Sequence, residues 1–183
     1  MTLGVKLVEK RDPATEEAVR EAERLLEVRI PEEYRRFLLQ ESNGGRPEDC
    51  IFSREDWPQP GVDEFLGVGR EGDSDLVTSY ERYRDRMPSW CLPFASSGGD
   101  WLCLSLRDED RGAMLLWFHE EEADEGEPPT ERNLYPLAGG FDDFAAGLRP
   151  IDEAEVEIDP SKVEGVWVDP KFAEEMRRQG LMD

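Results

Sequence analysis

The sequence predicts a fold of the α+β class. Three observations lead to this. Two amphipathic helical patterns lie near the N-terminus, with apolar residues every three or four positions. Two strongly apolar segments, Trp101–Leu106 and Ala113–Phe118, flank a polar turn and form the clearest antiparallel hairpin in the chain. Short mixed apolar segments between Gly and Pro signals fill the interval.

The first helix is expected over residues 13–28. Asp12 is placed to cap it, Pro13 suits its first position, and Glu16 and Glu17 complement its positive end. Ala18, Ala22, Leu25 and Leu26 form its apolar stripe. The second helix begins at Ile30-Pro31-Glu32-Glu33 and carries Tyr34, Phe37, Leu38 and Glu41 on its rows. Asn43-Gly44-Gly45 ends it, because Asn and Gly tolerate the left-handed conformation. The Pro-containing corner predicts that the two helices pack as a pair. Strands are expected at Ile51–Ser53 and Val62–Val68. A surface helix is expected over Asp75–Arg86, with Asp73, Ser74 or Asp75 as its cap. Cys91–Ala95 leads into Ser96-Ser97-Gly98-Gly99, which reads as a loop. The hairpin follows. Its strands are apolar enough to lie mid-sheet, covered on at least one face. A short strand at Leu134–Ala138 and a helix over Phe141–Leu148, ended by Pro150, complete the first domain, residues 1–150. Residues 151–183 read as an acidic extension, with a strand expected at Val163–Val168 and a helix at Lys171–Gln179.

The chain has 183 residues, and 44 acids against 22 bases give a net charge of −22. Direct binding to a polyanionic nucleic acid is disfavoured. A basic protein partner would instead be steered in. The extension holds ten acids and four bases, so the charge belongs to the whole chain, and a general acidic adaptation also accounts for it. No apolar run is long enough to cross a membrane, and no apolar run with a cleavage site follows Met1, so a cytoplasmic location is expected. Cys50, Cys91 and Cys103 form no CxxC pair, so reduced thiols are expected in place of zinc ligands.

The patterns that resemble chemistry have plainer explanations. His119 is the only histidine and lies near Cys103 if the hairpin pairs, but a cysteine on an apolar strand belongs to the core. Asp108-Glu109-Asp110 lacks the spacing of a calcium loop. Gly67 to Gly72 matches GxGxxG without the strand and helix that motif needs, and Ser96–Gly99 lacks a phosphate-loop lysine. No catalytic, cofactor-binding or metal-binding residue is assigned. Asp100, beside two glycines, either caps a local turn or lines a groove. Trp57 lies in a loop between Asp56 and Pro58, where an exposed tryptophan suits partner contact. Glu120, Glu121, Glu122, Asp124 and Glu125 form an acidic loop that either docks a partner or is simply solvated.

The order of these features resembles the SUKH superfamily, which includes yeast cell-wall-synthesis regulators and many bacterial immunity proteins. Leu25, Ile30, Pro31, Tyr34, Phe37, Leu38 and Asn43-Gly44-Gly45 carry the match. Phe65, Gly98-Gly99-Asp100, Leu102, Leu104, Trp117, Phe118, Phe141, Phe144 and Leu148 extend it, so the likeness covers roughly residues 10 to 150 but not the extension. It implies helices packed on a twisted, mainly antiparallel sheet, and no catalysis. It also implies one of two roles: an immunity protein that blocks a toxin such as a nuclease, or a regulatory interaction module in cell-envelope control. A monomer or weak dimer is expected.

Overall fold

Helix α1 (Glu16–Leu26) starts one turn later than the sequence suggests. Thr15, not Asp12, is the cap: its Oγ1 accepts from Ala18 N at 3.1 Å. The buried stripe is Val19, Ala22, Glu23 and Leu26, and Leu25 points outward, 48% exposed. These details come from a computed structural model, which describes residues 3–53, 55 and 58–151, together with Met176 and Arg178. The expected strand at Val163–Val168 lies outside the described residues, as does nearly all of the helix expected at Lys171–Gln179.

Helix α2 (Glu32–Gln40) buries Tyr34, Phe37 and Leu38 completely. Its end feeds straight into a strand, because Gly44 and Gly45 both take positive φ (75° and 126°). The strands are β1 (Leu7–Lys10), β2 (Gly45–Pro47), β3 (Cys50–Phe52), β4 (Glu64–Phe65), β5 (Cys91–Ser97), β6 (Asp100–Ser105), β7 (Met114–Trp117), β8 (Leu134–Ala138) and β9 (Leu148–Pro150). Seven of them form one antiparallel sheet in the order β1-β2-β4-β5-β6-β7-β8, and β3 pairs with β9. Helices α3 (Leu76–Tyr83) and α4 (Phe141–Gly147) complete the α+β fold.

The structure corrects the Ser96–Gly99 loop. Ser96 and Ser97 belong to β5, and Gly98-Gly99 is a two-residue turn that pairs Ser97 with Asp100. Both glycines have positive φ (59° and 98°), as a tight hairpin turn requires. The sheet interior therefore has three long strands, β5, β6 and β7, and nearly every residue in them is buried.

Both faces of that interior are covered. Trp101 pairs with Trp117, and Cys103 with Leu115, so these four share one face. Tyr83 from α3 packs edge-on against Trp101 and Trp117, with ring centroids 5.0 and 5.9 Å apart. Helix α3 thus sits deeper than its modest apolar content suggests, and Asp75 caps it by accepting from Thr78 N at 2.9 Å. On the other side, Tyr34, Phe37, Phe65, Phe94 and Phe141 form one aromatic cluster that joins α2 and α4 to the sheet. The Tyr34 hydroxyl donates to Leu66 O (2.5 Å) and lies 3.1 Å from Phe94 O, which ties α2 to the seam between β4 and β5. Burial holds its ionisation well above the ordinary tyrosine value.

Candidate protein-docking face

The acidic segment leaves β7 at the end of the sheet that also holds the β5–β6 turn. Asp100 is the first residue of β6, so its carboxylate lies beside the residue that follows Phe118. Its Oδ1 accepts from His119 N at 3.0 Å and lies 2.6 Å from His119 Nδ1. Asp100 is 15% exposed and His119 43%, so the carboxylate is the inner partner and the imidazole the outer one. On the neighbouring turn, Asp63 Oδ2 accepts from Gly98 N at 2.6 Å.

His119–Glu121 forms one turn of 3₁₀ helix; Glu120 is exposed, and the next two acids, Glu121 and Glu122, are anchored. Tyr135 donates its hydroxyl to Glu121 Oε2 at 2.5 Å. Arg132 donates to the carbonyls of Glu121 (2.9 Å) and Glu122 (2.7 Å). Arg86 forks onto the Glu122 carboxylate with two bonds of 2.8 and 2.7 Å. The same guanidinium lies 4.8 Å from the Tyr83 ring centroid and 5.4 Å from that of Trp117, so the fork is fixed on the aromatic face beneath α3. Beyond Glu122 the chain borders a cleft of about 760 Å³, lined by Arg84–Arg86 and by Glu122 to Pro129.

Most of the sequence-assigned acids therefore gather at this end of the sheet, in two different roles. Glu121 and Glu122 are engaged by a phenol and a guanidinium. Glu120, Asp124 and Glu125 are exposed, and the last two line the cleft. Trp57 lies outside the described residues.

Cysteine–histidine chemistry has no geometry here. Cys103 is fully buried, with Sγ 3.9 Å from Met87 Sδ, while the His119 ring is turned to Asp100. Burial pushes all three thiols up, away from the reactive thiolate. Among the described residues, no group of three or more His, Cys, Asp or Glu side chains is placed to hold a metal ion. Among them, too, no helix is long and apolar enough to cross a membrane.

Residues 13–147 match the sequence profile of the SMI1 / KNR4 family (SUKH-1), well over half of the chain. The chain belongs to that family. Membership fits a protein-binding role in immunity or regulation. No curated protein matches the chain.

In this SMI1 / KNR4 domain the acids of the candidate face are visible in the sequence, but the groups that hold them are not. Arg86 stands 36 residues before Glu122, and Tyr135 14 residues after Glu121. No local pattern links them. The one available signal was the hairpin register, which sets Asp100 opposite the start of the acidic segment.

Proposed function

We propose that this chain is a non-catalytic immunity-type protein that binds and neutralises a basic protein toxin, such as a nuclease, from within the cytoplasm. The observation that carries this reading is the anchoring of the acidic segment. An acidic loop that served only solubility would need no fixed shape. Here Asp100, Arg86, Arg132 and Tyr135 hold residues 119–122 in place, and Glu120, Asp124 and Glu125 face outward. Pre-setting a surface lowers the entropy cost of binding. The net charge of −22 would steer a basic partner toward it, and a toxin that acts on nucleic acid needs a basic surface to hold its substrate. Trp57 is a further proposed contact, and residues 1–150 are the proposed binding domain.

The test is calorimetric binding to a purified basic nuclease toxin encoded in the same genome, paired with survival of cells that express that toxin. The triple change Glu120→Lys, Asp124→Lys and Glu125→Lys should weaken binding on the order of 100-fold, at roughly 1 kcal/mol per substituted position, and remove protection. These positions are exposed, so unfolding should be unaffected. Wild-type binding that is indifferent to the three reversals would sink the assignment of the face. A deletion phenotype seen without any toxin would instead favour a regulatory module in cell-envelope control.

A further inference from the structure

His119 is the only histidine of the chain, and its ring is held through one of its two nitrogens. Nδ1 lies 2.6 Å from Asp100 Oδ1, the same oxygen that accepts from the His119 peptide N–H at 3.0 Å. A carboxylate can only accept, so this contact assigns the proton of the neutral imidazole to Nδ1. The other nitrogen, Nε2, is then a bare lone pair. It has no hydrogen-bond partner among the described residues, and the side chain is 43% exposed.

The β5–β6 turn sets the direction of the ring. Gly99 has a φ of 98°, and a Cβ built on it would stand 3.4 Å from His119 Cε1 and 3.8 Å from Nδ1. The edge that carries Nδ1 therefore lies against the turn, and Nε2 is farther from it. The turn is itself tied down, since Asp63 Oδ2 accepts from Gly98 N at 2.6 Å. Glu120, the next residue of the same 3₁₀ turn, is exposed. An oriented lone pair and an exposed carboxylate thus stand on adjacent residues.

Resting on the reading that this face binds a basic protein, we propose that His119 is one of its contacts: Nε2 accepts an N–H from a lysine or arginine side chain of the partner, and the bond forms only while the imidazole is neutral. Glu120 supplies the opposite charge beside it. A protonated ring would present an N–H at Nε2 and a positive charge, and both repel the same cation. Histidine gains its charge between about pH 8 and about pH 5, whereas carboxylates as a class titrate about two pH units lower. The charged groups around the ring are Asp100 from β6, Asp63 at the β5–β6 turn, and Glu120 and Glu121 on its own turn. From the β8 side, Tyr135 engages the Glu121 carboxylate and Arg132 its carbonyl. Acidification should therefore release the partner through His119 before the acids of the face lose their charge.

The experiment is a titration of the full chain with a hexa-arginine peptide blocked at both ends, at physiological salt. The peptide carries no group that titrates in this range. Nitrogen NMR of the imidazole at neutral pH should show Nδ1 protonated and Nε2 bare, and the peptide should shift Nε2. Calorimetry should give an affinity about tenfold lower at about pH 5.5 than at about pH 7.5. His119→Phe keeps a ring without its nitrogens, so it should bind about fivefold more weakly at neutral pH and lose the pH dependence. An Nε2 that is already protonated at neutral pH, or a His119→Phe protein that binds as the wild type does with the same pH dependence, overturns this contact while the acidic face stands. Absence of binding, or binding indifferent to reversal of Glu120, Asp124 and Glu125, overturns both.

Discussion

Tyr34 in α2 and Arg86 in the turn after α3 both reach a partner distant in sequence, and they do so in opposite surroundings. Tyr34 is wholly buried. Its hydroxyl reaches two strand carbonyls inside an aromatic cluster, where neither carbonyl has water as an alternative. The side chain of Arg86 is 45% exposed, and its carboxylate partner 29%. Water competes for both ends of that pair. The same kind of polar link therefore contributes to stability at the core and mainly to shape at the rim. The fold depends on the first region, and the proposed binding on the second.

The largest expected effect lies in the core. Phe37 is fully buried, with ring centroids 5.6 Å from Tyr34, 5.3 Å from Phe65 and 5.3 Å from Phe141. Phe37→Ala should cost about 3–5 kcal/mol, through lost transfer energy and the cavity left behind. Urea unfolding would read this as a shifted midpoint with an unchanged slope. A loss below about 1 kcal/mol would mean that the cluster collapses around the gap and is not the rigid centre described here.

The same division explains what the sequence disclosed. Helix α2 and the β6–β7 hairpin were legible because dense apolar periodicity leaves one way to bury each segment. Strand β5 was only half legible. Its last residues, Ser96 and Ser97, have loop composition and become strand because Glu64 and Asp100 flank them in the ladder. Strands β2 and β9 were missed: each is three residues long and ends in proline, which local rules read as a break. Leu25 lies outside the buried stripe of α1 because that stripe opens at Val19, one position after Ala18. At the proposed docking face, acid-rich composition marks the segment, but its anchors depend on tertiary proximity alone.

An intermediate effect is expected at Arg86. Its removal by Arg86→Ala breaks the fork to Glu122 and uncovers the Tyr83 and Trp117 rings. An exposed ion pair with a cation–π contact is worth about 1 kcal/mol. The sharper signature is local. The Glu122 amide, bonded to His119 O at 3.2 Å, should exchange faster with solvent, while core amides keep most of their protection. Uniformly faster exchange would show that Arg86 supports the whole fold, which would erase the distinction between the two regions.

The smallest effect on stability, and the most local readout, belongs to Tyr135. Its hydroxyl donates to Glu121, and that hydrogen bond to a carboxylate holds the phenol's ionisation above the ordinary tyrosine value. Because the folded-state value is raised, the link is fully present below the unfolded value of about 10, and it is lost as pH climbs through the folded one. Glu121→Gln keeps an acceptor but removes its charge, so the Tyr135 titration should fall back toward the ordinary value. The difference between wild-type and variant phenolate absorption isolates this residue, even though Tyr34 and Tyr80 are also shifted upward, by burial. Thermal unfolding at neutral pH should not move, since the pair is exposed. An unchanged titration would mean that Glu121 is free in solution and the acidic segment is loose at this point. The rim would then lose the fixed shape that sets it apart from an ordinary solvated loop.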